Sequence, residues 1–205
     1  MKILVTGAKG MVGQNFLPLL KQKKEYKILA PSKQQLNLLD QAAVATYMQE
    51  HRPDLIIHLA ARVGGIQANI KEPVKFLSEN VLMSTYVIQE ALAANVPKLI
   101  NVASSCMYPK DRSLLHEIDL LDGKLEPTNE GYAIAKITST LLCRYIHKQF
   151  NLAYKTIIPC NLYGCYDNFD QSRSHLIPAI IEKLHKAQKA HENTVMIWGD
   201  GTAKR

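Results

Sequence analysis

Residues 2–13 read KILVTGAKGMVG, which sets Thr6, Gly7, Gly10 and Gly13 directly behind an apolar run. Ile3, Leu4 and Val5 have the pattern of a short strand buried on both faces. The segment from 13 to 24 carries its apolar residues at helical spacing. Between the two, each glycine has a separate task. Gly7 permits the tight turn out of the strand, Gly10 leaves room for a ligand against the backbone, and Gly13 allows close packing of helix on strand. The free N–H groups at the start of the helix give the gap a partial positive charge, so the stretch is built to hold a diphosphate.

The same alternation continues along the chain. Strands are predicted at 2–5, 26–30, 54–60, 98–105, 153–162 and 194–198. Helices are predicted at 13–24, 40–51, 73–95, 129–150 and 175–190. Strand, helix, strand, helix implies parallel strands joined by right-handed crossovers, with helices on both faces. The fold class is therefore α/β, a Rossmann-like doubly wound parallel sheet. Residues 110–128 are polar and irregular, as expected of a surface loop near a site.

Composition excludes several classes. With 205 residues, 47% hydrophobic and 21% charged, the chain is neither disordered, collagen-like nor a disulfide-stapled mini-protein. Lys+Arg minus Asp+Glu is 25 − 18 = +7, a weak pointer to an anionic partner. The basic cluster Lys21, Lys23, Lys24 and Lys27 has no interleaved aromatic residues, so it reads as a solvated face and nucleic acid is not expected. No uncharged apolar run approaches the ~18 residues of a membrane span, and residues 1–10 contain no secretory apolar core. A cytoplasmic location is expected. Cys106, Cys143, Cys160 and Cys165 have no zinc-site spacing, so free thiols and no metal are expected.

An acidic residue at the end of the second strand would favour NAD, because it holds the ribose 2′-OH. Here the segment is Ala30-Pro31-Ser32-Lys33, without a carboxylate, and Lys9 lies inside the glycine loop where its charge can meet a 2′-phosphate. NADP(H) is the expected cofactor. Tyr132 and Lys136 stand at i and i+4, one turn apart on the same helix face. A free tyrosine has a pKa near 10. A neighbouring ammonium is expected to lower it, fitting the phenol to give a proton to a carbonyl oxygen. Ser104, Ser105 and Cys106 end the fourth predicted strand, at the carboxyl edge where open α/β sheets place their sites. Strand alternation would set Ser104 and Cys106 on one face and Ser105 on the other.

The glycine loop, a serine on strand four and YxxxK together resemble the extended short-chain dehydrogenase/reductases. The finer motifs are similar to those of the GDP-L-fucose synthase family within them. They are GAKGMVG (7–13), LNLLD (36–40), ARVGGIQAN (61–69), SSCMYPK (104–110), LEPTNEGYAIAK (125–136), NLYGCYDNF (161–169), SHLIPAII (174–181) and WGDGTAKR (198–205). The resemblance implies NADPH-dependent 3,5-epimerisation and 4-reduction of GDP-4-keto-6-deoxy-D-mannose. It implies a Ser104–Tyr132–Lys136 triad for reduction, with Cys106 and His175 as the acid–base pair for epimerisation. The chemistry suits these types: the C4 ketone acidifies the hydrogens on C3 and C5, and a thiol and an imidazole titrate near neutral pH.

The resemblance also implies cofactor contacts at Gly7, Lys9, Gly10, Met11, Val12, Gly13, Asn37, Leu38, Ala60, Ala61 and Arg62, besides Tyr132 and Lys136. It implies substrate contacts at Ser105, Asn161, His175, Lys183, Trp198 and Arg205, with Lys183 standing where the family usually has arginine. It further implies a homodimer paired through the helices near 73–95 and 129–150. The expected division is an NADP-binding domain over 1–165 and, over 166–205, the start of a substrate lobe that the family continues further. Two other readings stay open: another sugar-nucleotide epimerase or dehydratase, against which Cys106 argues, and a catalytically silent NADP(H)-binding module.

Overall fold

The computed structural model describes residues 1–112, 114–170 and 173–197. Five parallel strands form one sheet: β1 (Lys2–Thr6), β2 (Lys27–Leu29), β3 (Leu55–His58), β4 (Lys98–Val102) and β5 (Ala153–Ile157). Their order is β2-β1-β3-β4-β5, so the direction of winding reverses between β1 and β3. In open α/β sheets the crevice at that reversal, beyond the carboxyl ends of the strands, is where ligands bind.

Side-chain alternation along the strands builds two cores. Leu4, Ile56 and Leu99 face α2 (Gln41–His51), α4 (Pro73–Ala93) and α5 (Glu130–Phe150), packing with Val44, Met48, Val87, Ile88, Cys143 and Ile146. Ile3, Val5 and Ile57 face the other way, onto Phe16, Leu17 and Leu20 of α1 (Met11–Lys21). Each fully buried Leu, Ile or Val contributes roughly 1.5–3 kcal/mol relative to exposure, so the two-sided burial fixes the register of the central strands. Two helix ends follow directly from sequence. Asp40 caps α2 by accepting from Ala43 N at 3.1 Å, and Asn151 ends α5 in the left-handed conformation that Asn tolerates.

Several expected elements are revised. The predicted strand 98–105 stops at Val102, because Ser105–Met107 winds into a 3₁₀ turn capped by Ser104. Ser104 and Cys106 therefore owe their positions to a turn and not to strand alternation. The strand predicted at 153–162 ends at Ile157, and 158–164 run as irregular backbone. Residues 194–197 of the last predicted strand make no strand, and Trp198 lies outside the described residues. The loop 110–128 contains a 3₁₀ turn at Glu117–Asp119, and another follows at Pro127–Asn129. The structure adds α3 (Ile66–Lys71), a short helix with no predicted counterpart. Helix α6 spans Leu176–Lys189, with His175 at its N-cap position.

Candidate functional site

A cleft of about 470 Å³ opens at the sheet's reversal point. Gly7, Lys9, Gly10, Asn37, Leu38, Ala60, Ala61 and Arg62 all line it. The glycine loop is shaped by close approaches. Gly7 has φ +70°, and a Cβ there would lie 2.6 Å from Ala60 N. A Cβ on Gly13 would lie 2.5 Å from the Gly7 carbonyl oxygen. Gly10 donates to that carbonyl at 2.9 Å and caps α1 without any side-chain bond. The first-turn amides of α1 thus lack a side-chain acceptor, which fits a diphosphate. Met11, Val12 and Gly13 form this first turn and are not among the residues lining the cleft.

Ser32, Lys33 and Gln34, just past β2, also line the cleft. The segment lacks a carboxylate and carries a serine and a lysine, both readable from the sequence. The Asn37 side chain is engaged in its own turn, where its Oδ1 accepts from Leu39 N at 3.2 Å.

Arg62 lines the cleft, but its guanidinium turns into a polar cluster. It pairs with Glu72 at 2.6 Å and Glu79 at 3.2 Å, and sits 5.5 Å from the centre of the Phe76 ring. Hydrogen bonds from Lys75 and Arg62 hold the Glu72 carboxyl down to about 2. The Arg62 backbone is clasped by Asn80, whose Oδ1 accepts from Arg62 N at 2.7 Å and whose Nδ2 donates to Arg62 O at 3.0 Å. Asn80 was missed in the sequence. Its signal is a polar residue inside the buried stripe Phe76, Asn80, Ser84, Val87 of α4.

Beyond this cleft, Ser104, Cys106, Tyr132 and Lys136 gather where the 3₁₀ turn meets α5. The Ser104 hydroxyl accepts from Cys106 N at 3.4 Å and hydrogen-bonds the thiol. The Lys136 ammonium lies 5.7 Å from the Tyr132 ring centre and donates to Val102 O at 2.8 Å. Phe76 packs edge-on against Tyr132 with ring centres 6.5 Å apart. Neither Tyr132 nor Lys136 lines the 470 Å³ cleft.

The electrostatics correct one expectation. Burial, with a smaller contribution from Cys106, raises the Tyr132 pKa instead of lowering it. Burial also brings Lys136 down to about 8. The Cys106 thiol is pushed up by burial, opposed by its hydrogen bond to Ser104 and by the Lys136 charge. Desolvation wins because these groups lie in low dielectric, where any charged form is penalised.

His175 is exposed at the N-cap of α6, and the two residues before it meet the loop after β3. Gly65 N donates to Arg173 O at 2.9 Å, and a Cβ on Gly65 would meet Ser174 O at 2.4 Å. A Cβ on neighbouring Gly64 would touch Phe76 Cζ at 3.2 Å. The loop after β3 therefore lies between the segment carrying His175 and the ring that packs on Tyr132. Ser105 is half-buried in the 3₁₀ turn, while Asn161 is exposed on the β5–α6 connection. Asn15 of α1 holds that connection by donating to Cys165 O at 2.8 Å. Lys183 donates to Met196 O at 2.8 Å. Arg205, like Trp198, lies outside the described residues. Among the described residues no group of three metal-ligating side chains occurs, and no helix is long and apolar enough to cross a membrane.

Comparison with known proteins agrees with this architecture. The model of the NAD dependent epimerase/dehydratase family matches residues 3–205. The GDP-L-colitose synthase of Yersinia pseudotuberculosis is 53% identical over all of this chain and 67% of its own length. The GDP-L-fucose synthase of Azorhizobium caulinodans is 48% identical over all of this chain and 65% of its own length. A crystal structure of a GDP-L-fucose synthetase from Naegleria fowleri bound to NADP is 30% identical, with TM-score 0.87, covering 98% of this chain and 66% of that one. The chain thus spans about two thirds of the length of these relatives. It belongs to the NAD dependent epimerase/dehydratase family, as a GDP-L-fucose synthase-like member of the extended short-chain dehydrogenase/reductases.

Proposed function

We propose that this chain carries the NADPH-binding and acid–base half of an enzyme that converts GDP-4-keto-6-deoxy-D-mannose to GDP-L-fucose. The observation that carries this reading is the cluster at the 3₁₀ turn. It sets a thiol, Cys106, against Ser104, Tyr132 and Lys136, so that one site offers groups for both proton transfer at carbon and proton donation to a ketone. The residues of the cleft fit a dinucleotide, with bare first-turn amides on α1 and Lys9, Ser32 and Lys33 in its wall. The absence of a carboxylate in the segment Ala30–Lys33 just past β2, and the two lysines in the cleft wall, support NADPH over NADH.

In the proposed mechanism Cys106 and His175 work at C3 and C5. One removes the proton made acidic by the C4 ketone, leaving an enolate. The other returns a proton to the opposite face, so each inversion is neutral in protons and electrons. Ser104 orients the C4 oxygen. When bound, NADPH supplies the hydride for C4. Tyr132 gives its proton to the C4 oxygen, and Lys136 stabilises the resulting phenolate. Residues 166–205 are proposed to begin a substrate lobe, and Ser105, Asn161 and Lys183 are proposed to contact the sugar nucleotide. Pairing of two copies through α4 and α5 is supported by the exposed apolar side chains Val74, Leu77, Leu82, Ile134 and Tyr145 on these helices.

The test is turnover of GDP-4-keto-6-deoxymannose with NADPH, read as loss of NADPH absorbance and as GDP-L-fucose formed. NADPH binding without turnover would support the silent-module reading for the chain by itself. The 53% identity to a GDP-L-colitose synthase favours a second reading. Colitose lacks the 3-hydroxyl, so C3 is no stereocentre and only C5 needs inversion. Offering the 3-deoxy keto sugar in competition with the 3-hydroxy one separates the two.

A further inference from the structure

One fully buried titratable group is not used by the mechanism above. His58 ends β3 with no exposed surface, and it lies in a polar row that crosses the sheet in register: Thr6 on β1, His58 on β3, Asn101 on β4, Thr156 on β5. Central parallel strands are normally apolar on both faces, so a polar row at this level calls for an explanation.

The hydrogen bonds give it a direction. Ala60 N donates to Thr6 Oγ1 at 3.4 Å, which leaves the hydroxyl hydrogen for His58 Nδ1 at 2.7 Å. His58 Nε2 then carries the ring hydrogen and donates to Ser84 Oγ of α4 at 3.2 Å. Burial, helped by the Lys136 charge, drives the imidazole pKa down to about 3, so the ring is neutral and the tautomer is set by its partners. Every element it ties belongs to the cofactor cleft. Thr6 precedes Gly7, Ala60 N is the atom a Cβ on Gly7 would meet most closely, and α4 contributes Glu79 and Met83 to the wall. On the far side, Asn101 donates to Ser139 Oγ at 3.1 Å, and Ser139 donates to the Lys136 carbonyl at 3.0 Å.

We infer that His58 is a positioning residue for the diphosphate and nicotinamide end of the cleft, locking the glycine loop, the loop after β3 and α4 into one arrangement through Thr6 and Ser84. A shape-filling apolar residue at this position would leave both hydroxyls without their partner and let the loop carrying Gly7 shift against Ala60. The adenine end, formed by Ser32, Lys33 and Asn37, lies outside this linkage, which gives the inference its signature. It rests on the cofactor reading, since it concerns how that cofactor is held.

The experiment measures affinity for NADPH and for adenosine 2′-monophosphate, which probes only the adenine end, in the 205-residue chain and its variants. His58→Leu is expected to weaken NADPH at least about tenfold and leave the monophosphate within about twofold. His58→Gln offers an acceptor and a donor on one planar group and is expected to recover most of the loss. Ser84→Ala tests the far link should His58→Leu fail to fold, and is expected to weaken NADPH alone by a few-fold. Unchanged NADPH affinity in these variants, equal loss of both ligands, or no recovery in a folded His58→Gln would each overturn the inference. If the unsubstituted chain did not bind NADPH, the cofactor reading would fail, and this inference with it.

Discussion

Gly65→Ala is the perturbation whose size the structure fixes most directly. A Cβ at this position would sit 2.4 Å from Ser174 O, whereas ordinary contact begins at 3.4 Å, a shortfall of 3.4 − 2.4 = 1.0 Å. The obstacle is backbone on both sides, so no rotamer change relieves it. Either the loop after β3 or the segment leading into α6 must move by about 1 Å, and His175 is the next residue along. The hydrogen bond from Gly65 N to Arg173 O, 2.9 Å in the native chain, would be stretched beyond bonding distance; its loss is about 1 kcal/mol, or roughly fivefold in local opening. A misplacement of this size near reacting groups lowers rates by about a hundredfold. The assay is deuterium uptake from solvent at the carbons flanking the keto group, with NADPH affinity measured in parallel. Uptake should fall by about two orders of magnitude while NADPH affinity stays within about twofold. A readout independent of turnover is amide exchange at Gly65, which should lose roughly fivefold in protection. Deuterium uptake at the native rate, or a matching loss of NADPH affinity, would refute the argument that this glycine seats the histidine.

Other outcomes follow from the same geometry. Lys33→Glu should reverse the preference for NADPH over NADH, weakening NADPH by about tenfold or more, as expected for a charge-assisted contact to a phosphate; paired titrations with both cofactors check it. Cys106→Ser should abolish solvent deuterium uptake at one or both carbons, a loss of about 10²–10⁴-fold, with NADPH affinity unchanged. Lys136 titrates at about 8 when folded, below the 10.5 of the free side chain, so the unfolded chain binds more protons between those values and stability should rise with pH across that window. Lys136→Met should flatten that rise in denaturant melts at pH 7.5, 8.5 and 9.5 (roughly spanning the interval in which the linkage acts). Leu77→Glu should shift the chain from a pair to a single copy in sedimentation if α4 and α5 form the proposed interface.

Much of the fold was readable because its signals are local. The run Ile3–Val5 followed by three spaced glycines encodes a strand, a turn and a helix start within a dozen residues, and the glycine contacts confirm why no other residue fits at 7 or 13. Strand ends were less legible. Apolar content continues from Val102 through Ala103, and from Ile157 into Ile158, so composition alone extends both strands. What stops β4 is a side-chain-to-backbone bond, Ser104 capping the turn that begins at Ser105, a local alternative to the ladder that apolar content does not reveal. The short α3 was hidden for a related reason. Its N-cap is a glycine, its six residues carry no periodic stripe, and Asn69 anchors it by donating to Gly64 O and Gly65 O.

Candidate chemistry-bearing residues were proposed from sequence, but the electrostatic expectation attached to Tyr132 and Lys136 ran the wrong way, and the reason bears on the proposed mechanism. Spacing on a helix says that Lys136 can reach Tyr132; it does not say how much water either group loses. Folding buries both, so each is pushed towards its neutral form: the phenol up, the ammonium down to about 8. For reduction of a ketone the tyrosine must begin with its proton, so a raised pKa holds it in the useful state. Near neutral pH the lysine is still mostly charged, because its pKa stays above 7. Its charge is then strongest where it is needed, beside the phenolate that appears as the proton leaves. The donation from Lys136 Nζ to Val102 O holds that charge at the end of β4, next to the turn bearing Ser104 and Cys106. Burial therefore separates the resting and reacting states of the pair, and the Ser139–Asn101 bonds that brace this turn of α5 keep the lysine close enough to act in the second.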